Sequence, residues 1–271
     1  ASPDAQPGVR DFKIFTDRGV STVGQIVITR DPVVWDDVKT DTMEGAKEFQ
    51  VPATLTGVFE KNEDLDYFKF SGEAGQRLVI HCRCMRLQDR IHDLQTHADP
   101  IITLKNHLGS TIAASDNYFA ADPYLVVEIQ QSGEYYLEVR DVRYKSNAYW
   151  NYAIEVINRP FPTNAFPLAI AADQPVTFEL IGESLAPGTM ASFDAFPIKL
   201  EQGRQWLSLP APDGNLYDPI PVYVSDEKVL LEDGDDNDDV EHAQLIDVPA
   251  VVNGRMDKEA DIDYYRFEAK K

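Results

Sequence analysis

The chain has 271 residues, 43% of them hydrophobic, and carries a formal net charge of −21 at pH 7. That hydrophobic content supports packed cores and excludes a disordered chain, while the length allows one to three domains. The acidic balance excludes partners held through Lys and Arg contacts, namely nucleic acid and anionic membranes, but it favours divalent cations.

The ends and the cysteines say little about the compartment. No apolar run approaches the roughly 20 residues needed to cross a bilayer. The chain opens on Ala1-Ser2-Pro3-Asp4, without an initiator Met or a leader peptide, so we expect a processed or excised chain. Two cysteines, Cys82 and Cys84, do not make a disulfide framework.

Short runs rich in Val, Ile, Thr, Tyr and Phe, separated by Gly and Pro, predict an all-β protein. In residues 1–31, Val9–Phe15 and Gln25–Thr29 are predicted to form the closing hairpin of an Ig-like unit. The earlier strands of that unit are not in this chain.

Residues 32–160 are predicted to form an antiparallel β-sandwich of the jelly-roll type. In Arg77–Cys84, apolar and polar side chains alternate, which predicts a strand with one apolar face. The other predicted strands are Pro100–Leu104, Thr111–Ala113, Tyr124–Ile129, Glu134–Arg140 and Trp150–Ile157.

Residues 161–229 are predicted to form a small Ig-like β domain, which begins after a proline-rich stretch. Its predicted strands are Val176–Leu180, Ala195–Leu200, Gln205–Leu209 and Ile220–Val224. Residues 230–271 are then predicted to start a second copy of the first module.

An internal repeat supports this second copy. At an offset of 197 positions, residues 35–70 align with 232–267 without a gap, and 13 of the 36 pairs are identical. The strongest match pairs Asp64–Phe70 with Asp261–Phe267. The second copy stops at Lys271, inside the module, and open sheet edges invite pairing with another chain.

Several motifs of the first module resemble the bacterial pre-peptidase C-terminal domain. They are Pro52, Gly57, Asp64-Leu65-Asp66-Tyr67-Phe68, Gly75-Gln76, Asp99-Pro100, Gly109, Asp116-Asn117, Gly133-Glu134-Tyr135 and the closing strand Tyr149–Val156. The stretches Ile91–Pro100 and Val139–Tyr144 resemble a variant found in large secreted planctomycete-type proteins with Ig-like spacers. The resemblance covers about residues 33–160 and 229–271.

The resemblance implies a jelly-roll-like β-sandwich that is appended to secreted enzymes and surface proteins and is not itself a catalyst. It also implies calcium-dependent stabilisation and adhesion to carbohydrate or protein. We therefore expect an extracellular, cell-surface or periplasmic location.

The acidic segment of the second copy is the strongest metal signal. Its candidate ligands are Glu232, Asp233, Asp235, Asn237 and Asp239, since Ca²⁺ takes six to eight oxygen ligands. An EF-hand is disfavoured, because Asp238 stands at the place of its Gly and Gln244 at the place of its closing Glu. The alternative is a solvated acidic linker. In the first copy the same segment has fewer acids, which makes a metal less expected there.

A second candidate calcium set is Asp99, Asp116 and Asp122, for which the alternative is side-chain bonding within turns. Cys82 and Cys84, with nearby histidines, suggest zinc. They also lie two apart on the apolar face of one strand, which favours buried thiols in a core.

Tyr118, Tyr144 and Trp150 are candidate ligand-binding residues on an aromatic sugar-binding platform, and the alternative is that they fill the core or its rim. No Gly-x-Ser-x-Gly, His-Glu-x-x-His, phosphate loop or haem motif is present, so we expect no catalytic residues, no haem and no nucleotide.

The leading hypothesis is a non-catalytic structural or adhesive array of β-modules, stabilised by calcium, in a secreted or cell-surface protein. Its partners would be other domains of the parent protein or another protein chain. The main alternative is a carbohydrate-binding module of a secreted hydrolase, and a third is a hydrolase whose active site is split between modules.

Overall fold

The computed structural model describes residues 2, 5, 7–36, 40–88, 96–194, 200–232 and 237–269. Its elements are strands, apart from one short 3₁₀ turn at Met85–Leu87, so the predicted all-β class is confirmed. No helix among these residues is long and apolar enough to cross a membrane. Contacts divide the chain into two units, 1–159 and 160–271.

The described residues of the first unit form fourteen strands, most of them short. They are β1 (Gly8–Phe12), β2 (Phe15–Thr16), β3 (Gly19–Val20), β4 (Gly24–Ile28), β5 (Val33–Trp35), β6 (Lys47–Glu48), β7 (Ala53–Val58), β8 (Asp66–Gly72), β9 (Arg77–Arg83), β10 (Pro100–Asn106), β11 (Thr111–Ser115), β12 (Tyr124–Glu128), β13 (Gly133–Asp141) and β14 (Asn151–Ile157).

Two five-stranded sheets make up the first module. Their strand orders are β11-β10-β13-β8-β6 and β12-β9-β14-β7-β5, mostly antiparallel, with β5 and β6 added in parallel at one edge of each. Alternate side chains of both sheets meet in one hydrophobic cluster, in which Phe68, Ile102 and Leu137 of one sheet join Leu55 and Ile154 of the other. Burying this cluster is the main drive to fold.

Strand β9 confirms the predicted alternation, and its second face is also largely buried. Leu78, Ile80, Cys82 and Cys84 face the core with no solvent exposure, and both cysteines are free thiols, as expected. Most of the opposite face is buried too, since Val79, His81 and Arg83 are shielded from solvent while Arg77 is exposed.

That opposite face carries an ion network. Arg83 pairs with Glu155 of β14, and His81 Nδ1 lies 3.4 Å from Glu155 Oε2. The second ring nitrogen of His81 lies 2.9 Å from a guanidinium nitrogen of Arg86. Burial lowers the pKa of His81 to about 3, so its imidazole is neutral between these partners.

The described part of the second unit begins with seven strands, six of them in two three-stranded sheets, while the seventh pairs with the later strand Ala250–Asn253. In chain order, the seven strands are β15 (Phe161–Phe166), β16 (Ala169–Ala171), β17 (Val176–Glu183), β18 (Met190–Phe193), β19 (Gly203–Leu207), β20 (Ile220–Ser225) and β21 (Lys228–Leu231). The orders β15-β17-β18 and β16-β20-β19 share a second core around Phe178, Ile220 and Val224. The remaining strands are β22 (Gln244–Leu245), β23 (Ala250–Asn253) and β24 (Tyr265–Arg266).

Predicted and observed strands differ by a few residues at their ends, because turn geometry, and not the alternation of side chains, decides where a strand ends. Most of the predicted strand Ala195–Leu200 lies outside the described residues. The division into 1–31, 32–160, 161–229 and 230–271 remains a prediction, since contacts resolve only the two larger units.

The buried pair Arg83–Glu155 gives a stability prediction. Glu155→Ala leaves the Arg83 charge buried without its carboxylate, so we expect a loss of about 3–5 kcal/mol in the free energy of unfolding. The double variant Arg83→Met/Glu155→Leu removes both charges and keeps apolar volume. It should therefore lie close to the wild type in a urea titration followed by fluorescence.

The exposed pair Lys228–Asp247 is the matched control. Asp247→Ala should cost less than about 1 kcal/mol, because solvent screens surface ion pairs. Equal losses for Glu155→Ala and Asp247→Ala would contradict the buried role of the network.

Candidate functional site

Three carboxylates meet at one end of the first module. Ligand oxygens of Asp41, Asp64 and Asp66 lie within 4.8 Å of one another, and among the described residues this is the one such group of three or more His, Cys, Asp or Glu side chains. Asp64 and Asp66 are 4% and 2% exposed. Charges this deeply buried need a partner or a proton.

Local structure places these acids. Asp66 is the first residue of β8 and points to the same side as Phe68, since strand side chains alternate. Asp64 closes the preceding turn: its Oδ2 accepts the Glu60 N–H at 2.7 Å, and Glu63 has a φ of 63°. The cluster is therefore built by a tight turn that feeds an inward-facing strand.

A fourth acid, Asp36, adjoins the cluster. Its N–H donates to the Thr56 carbonyl at 2.8 Å, and its carboxylate accepts the Thr40 hydroxyl. Gly57 makes room for it, because a Cβ there would lie 2.8 Å from Asp36 Cβ and would clash with the Tyr152 hydroxyl. A glycine is required at this close approach.

The electrostatics of the cluster favour a proton or a cation. Burial first, and then the negative charge of Asp36, raise the pKa of Asp66 to about 8, although the Tyr152 hydroxyl donates to its Oδ2 at 2.7 Å. Burial also raises the pKa of Asp64. At neutral pH the cluster therefore holds a proton on Asp66.

A lysine supplies part of the missing positive charge. The Lys61 ammonium pairs with Asp41 and lies 3.8 Å from Asp64 Oδ1. The Lys61 side chain is 53% exposed, so water competes for its ammonium and the pairing is weak.

The second copy repeats this arrangement in the second unit. Lys258 pairs with Asp238 and lies 3.8 Å from Asp261 Oδ1, as Lys61 does with Asp41 and Asp64. The turn is also repeated: Asp261 Oδ2 accepts the Asp257 N–H at 2.6 Å, and Ala260 has a φ of 61°. Each of these residues stands 197 positions after its counterpart.

The two copies keep the 197-residue offset in one strand pair and depart from it by one residue further upstream. The parallel pair β22–β24 matches β6–β8 at the same offset, Gln244 with Tyr265 as Lys47 with Phe68. Further upstream the register moves by one residue. The Glu232 N–H donates to the Asn253 carbonyl at 2.8 Å, so Glu232 takes the place of Asp36, which the gap-free alignment gave to Asp233.

Glu232 and Asp263 form a carboxyl pair. Their mutual hydrogen bond, with burial, raises the pKa of Asp263 to about 6. The Asn237 amide donates to Glu232 Oε1 at 3.1 Å, which repeats the bond from Thr40 to Asp36. A Cβ on Gly254 would lie 3.0 Å from the Tyr265 hydroxyl, so Tyr265 fills the space that Tyr152 fills in the first copy.

The predicted metal ligands of the acidic segment fall into three groups. Glu232 and Asn237 lie in the second cluster. Asp233 and Asp235 lie outside the described residues. Asp239 is exposed and binds His242, with Oδ1 2.8 Å from Nδ1. Whether these residues bind a metal stays a prediction.

The structure assembles no cluster from Asp99, Asp116 and Asp122 among the residues it describes. Asp122 is buried and anchors the turn after β9, accepting the N–H groups of Cys84 and Met85 and the Arg86 side chain. Asp116 accepts the N–H of the next residue, and the Asp99 N–H donates to Asp141 Oδ2 at 2.9 Å. These contacts match the turn-bonding alternative.

The three residues of the predicted aromatic platform differ in burial and in contacts. Trp150 is 2% exposed, and its indole N–H donates to the Thr96 carbonyl at 3.1 Å, so its ring belongs to the core. The Arg140 guanidinium stacks on Tyr144 at 4.4 Å. Tyr118 is 62% exposed and packs on Phe119. The platform hypothesis remains with Tyr118 and Tyr144.

The sequence did not lead us to predict that the acids of the first copy meet in one cluster. The Asp64-x-Asp66 motif predicted the fold alone. A usable signal was present, since Asp41, Lys61, Asp64 and Asp66 are identical in the two copies while many hydrophobic positions differ.

The raised pKa of Asp66 gives a pH prediction for the chain in the presence of a chelator. The folded chain keeps a proton on Asp66 that the unfolded chain releases near pH 4, so the free energy of unfolding should fall as the pH rises from about 4 to about 8. Asp66→Asn mimics the protonated acid and should flatten this dependence in the first module, measured as Tm across that range. An unchanged slope would contradict the raised pKa.

The comparison with family models agrees with the motifs. A family model described as the bacterial pre-peptidase C-terminal domain matches residues 64–141. The search of solved structures found the pre-peptidase C-terminal domain of collagenase from Bacillus anthracis, at 13% identity and TM-score 0.31, covering 41% of this chain and 93% of that one.

Two other solved structures were found at similar distance. One is PliG of Aeromonas hydrophila, a periplasmic inhibitor of g-type lysozyme, at 16% identity and TM-score 0.27, covering 46% of this chain and 98% of that one. The other is the M60 catalytic domain with two CBM51 domains of Clostridium perfringens ZmpB, at 12% identity and TM-score 0.26, covering 80% of this chain and 26% of that one. No curated protein matches the chain. The family match supports placing residues 64–141 in the bacterial pre-peptidase C-terminal domain family.

Proposed function

We propose that this chain is a non-catalytic accessory part of a secreted or cell-surface protein, in which each module copy binds one Ca²⁺ ion at its acid cluster. The observation that carries the proposal is the repetition of the acid and lysine arrangement. Asp41, Lys61, Asp64 and Asp66 have identical counterparts in the second copy, with the same lysine pairing and the same turn, although among the described residues only the first copy brings three carboxylates within 4.8 Å of one another.

The donor set fits a hard cation. The side chains of each cluster offer carboxylate oxygens and no thiol or imidazole, and Ca²⁺ prefers six to eight oxygens. Asp36, Asp41, Asp64 and Asp66 would hold the ion in the first copy, and Glu232, Asp238, Asp261 and Asp263 in the second. The ion would supply the charge that Lys61 and Lys258 supply in part.

Binding there would stiffen the module. Asp36 and Asp41 lie between β5 and β6, whereas Asp64 and Asp66 lead into β8, so one ion would tie the two segments together. A bidentate pair between Asp31 and Arg159, at 3.0 and 2.9 Å, already joins the start and the end of the first module. Such ties suit a spacer that holds other domains in place.

The finer architecture belongs to this proposal. The two five-stranded sheets with a shared core would form a jelly-roll-like β-sandwich, and residues 161–229 an Ig-like spacer. The partners would be other domains of the parent protein or another chain, outside the cytoplasm.

Thermal unfolding with calcium tests the proposal. Ca²⁺ at a hundredfold excess over its Kd should add about 2.7 kcal/mol to the free energy of unfolding of each module by mass action. Asp66→Asn should abolish the Tm increase of the first module and leave the protein folded in chelator, because the amide preserves the shape of the protonated acid.

Asp116→Asn is the matched control, since Asp116 is an exposed acid outside the cluster. It should retain the full calcium response. A wild-type Tm that is the same in calcium and in chelator would refute calcium binding while leaving the family assignment intact.

A further inference from the structure

A groove of about 1030 Å³ lies within the first unit, on the side of the sheet that faces away from the core. Its floor includes Thr54 and Thr56 of β7 and Asn151 and Ala153 of β14, whose neighbours Leu55 and Ile154 point into the core. Its walls come from the hairpin β1–β4, strand β5 and the turn before β14.

The chemistry of the groove is unusual for this chain. Among the described residues that line it, none is Asp, Glu, Lys, Arg or His, although the chain carries a net charge of −21. A charged ligand would find no counter-charge among these residues, and buried charges need one. The described lining therefore favours an uncharged ligand.

Three exposed aromatic rings line the groove. Trp35 is 69% exposed, Tyr149 is 59% exposed and Phe12 is 40% exposed. Large aromatic side chains this open to water are costly unless something covers them, and isolated ones are tolerated far better than a group in one concavity. Tyr and Trp also combine an apolar ring with a hydrogen-bonding group.

Amides accompany these rings. Asn147, Asn151 and Gln25 line the same groove. The Gln25 Oε1 atom is buried and accepts no hydrogen bond among the described residues, which leaves an acceptor in need of a donor. A concave site with aromatic walls and a few polar groups is the usual form of a small-molecule or oligomer site.

We propose that this groove binds an uncharged glycan chain. A neutral sugar ring has an apolar C–H face, which suits Trp35 and Tyr149, and hydroxyl groups, which suit the three amides. An extended peptide added to the edge strand β5 would bond to backbone groups and would leave Tyr149, which lies just before the central strand β14, unused. The inference is independent of calcium binding.

Affinity electrophoresis in native gels tests the proposal. The full chain, in chelator so that the acid clusters play no part, is run through gels that contain neutral polysaccharides: xylan, mixed-linkage β-glucan, mannan, starch or galactan. At least one should retard the wild type. Trp35→Ala and Tyr149→Ala should each weaken that retardation at least tenfold, with unchanged Tm and circular dichroism showing that they fold.

Tyr118→Ala is the matched control, because Tyr118 is as exposed as Tyr149 but does not line the groove. It should be retarded like the wild type. If Trp35→Ala fails to fold, Trp35→Phe replaces it: it should keep binding but lose the change in tryptophan fluorescence that the polysaccharide causes in the wild type.

Three outcomes would overturn the proposal. The first is no retardation by any neutral polysaccharide, whatever peptide the chain binds. The second is retardation by acidic polysaccharides alone, such as pectate or alginate. The third is a loss caused by Tyr118→Ala but not by Trp35→Ala or Tyr149→Ala, which would place sugar binding at the Tyr118 surface.

Discussion

The carboxyl group of Asp66 is buried beside other carboxyl groups. This burial constrains the strand that carries Asp66 and the side chains that contact it. The acid begins the strand that carries Phe68 and Phe70 into the core, so it cannot move to solvent without disturbing the sheet. It is stabilised there by a proton and by the hydrogen bond from the Tyr152 hydroxyl. Burying several carboxyl groups together costs free energy, and a bound cation would offset that cost.

The two copies differ more in their core residues than in their acids. A hydrophobic core tolerates exchange among apolar residues, and the two copies do differ there, with Phe49 matched by Ile246 and Leu55 by Val252. The acids and the lysine are retained instead. The hydroxyl that fills the space beside the glycine comes from Tyr152 in one copy and Tyr265 in the other. Tyrosines from different strands thus place a hydroxyl group near the equivalent acids of the two copies.

The fold was largely predictable from sequence because strand patterns are local. Alternation in Arg77–Cys84 identified the core face of β9 and the buried thiols. It could not show that the other face is covered, because Arg83 and Glu155 are 72 residues apart in sequence. The acid cluster was missed for the same reason. Asp36 and Asp66 come together only when two sheets form, and the one-residue shift that puts Glu232 in the place of Asp36 is invisible in a gap-free alignment.

The central claim is that each copy carries one calcium site built from these acids. Equilibrium dialysis of the intact chain against calcium measures it most directly, as bound ions per chain. The account predicts two ions for the wild type, one for Asp66→Asn, one for Asp263→Asn and none when both acids are changed. A wild-type chain that binds no calcium, or variants that bind as many ions as the wild type, would contradict it.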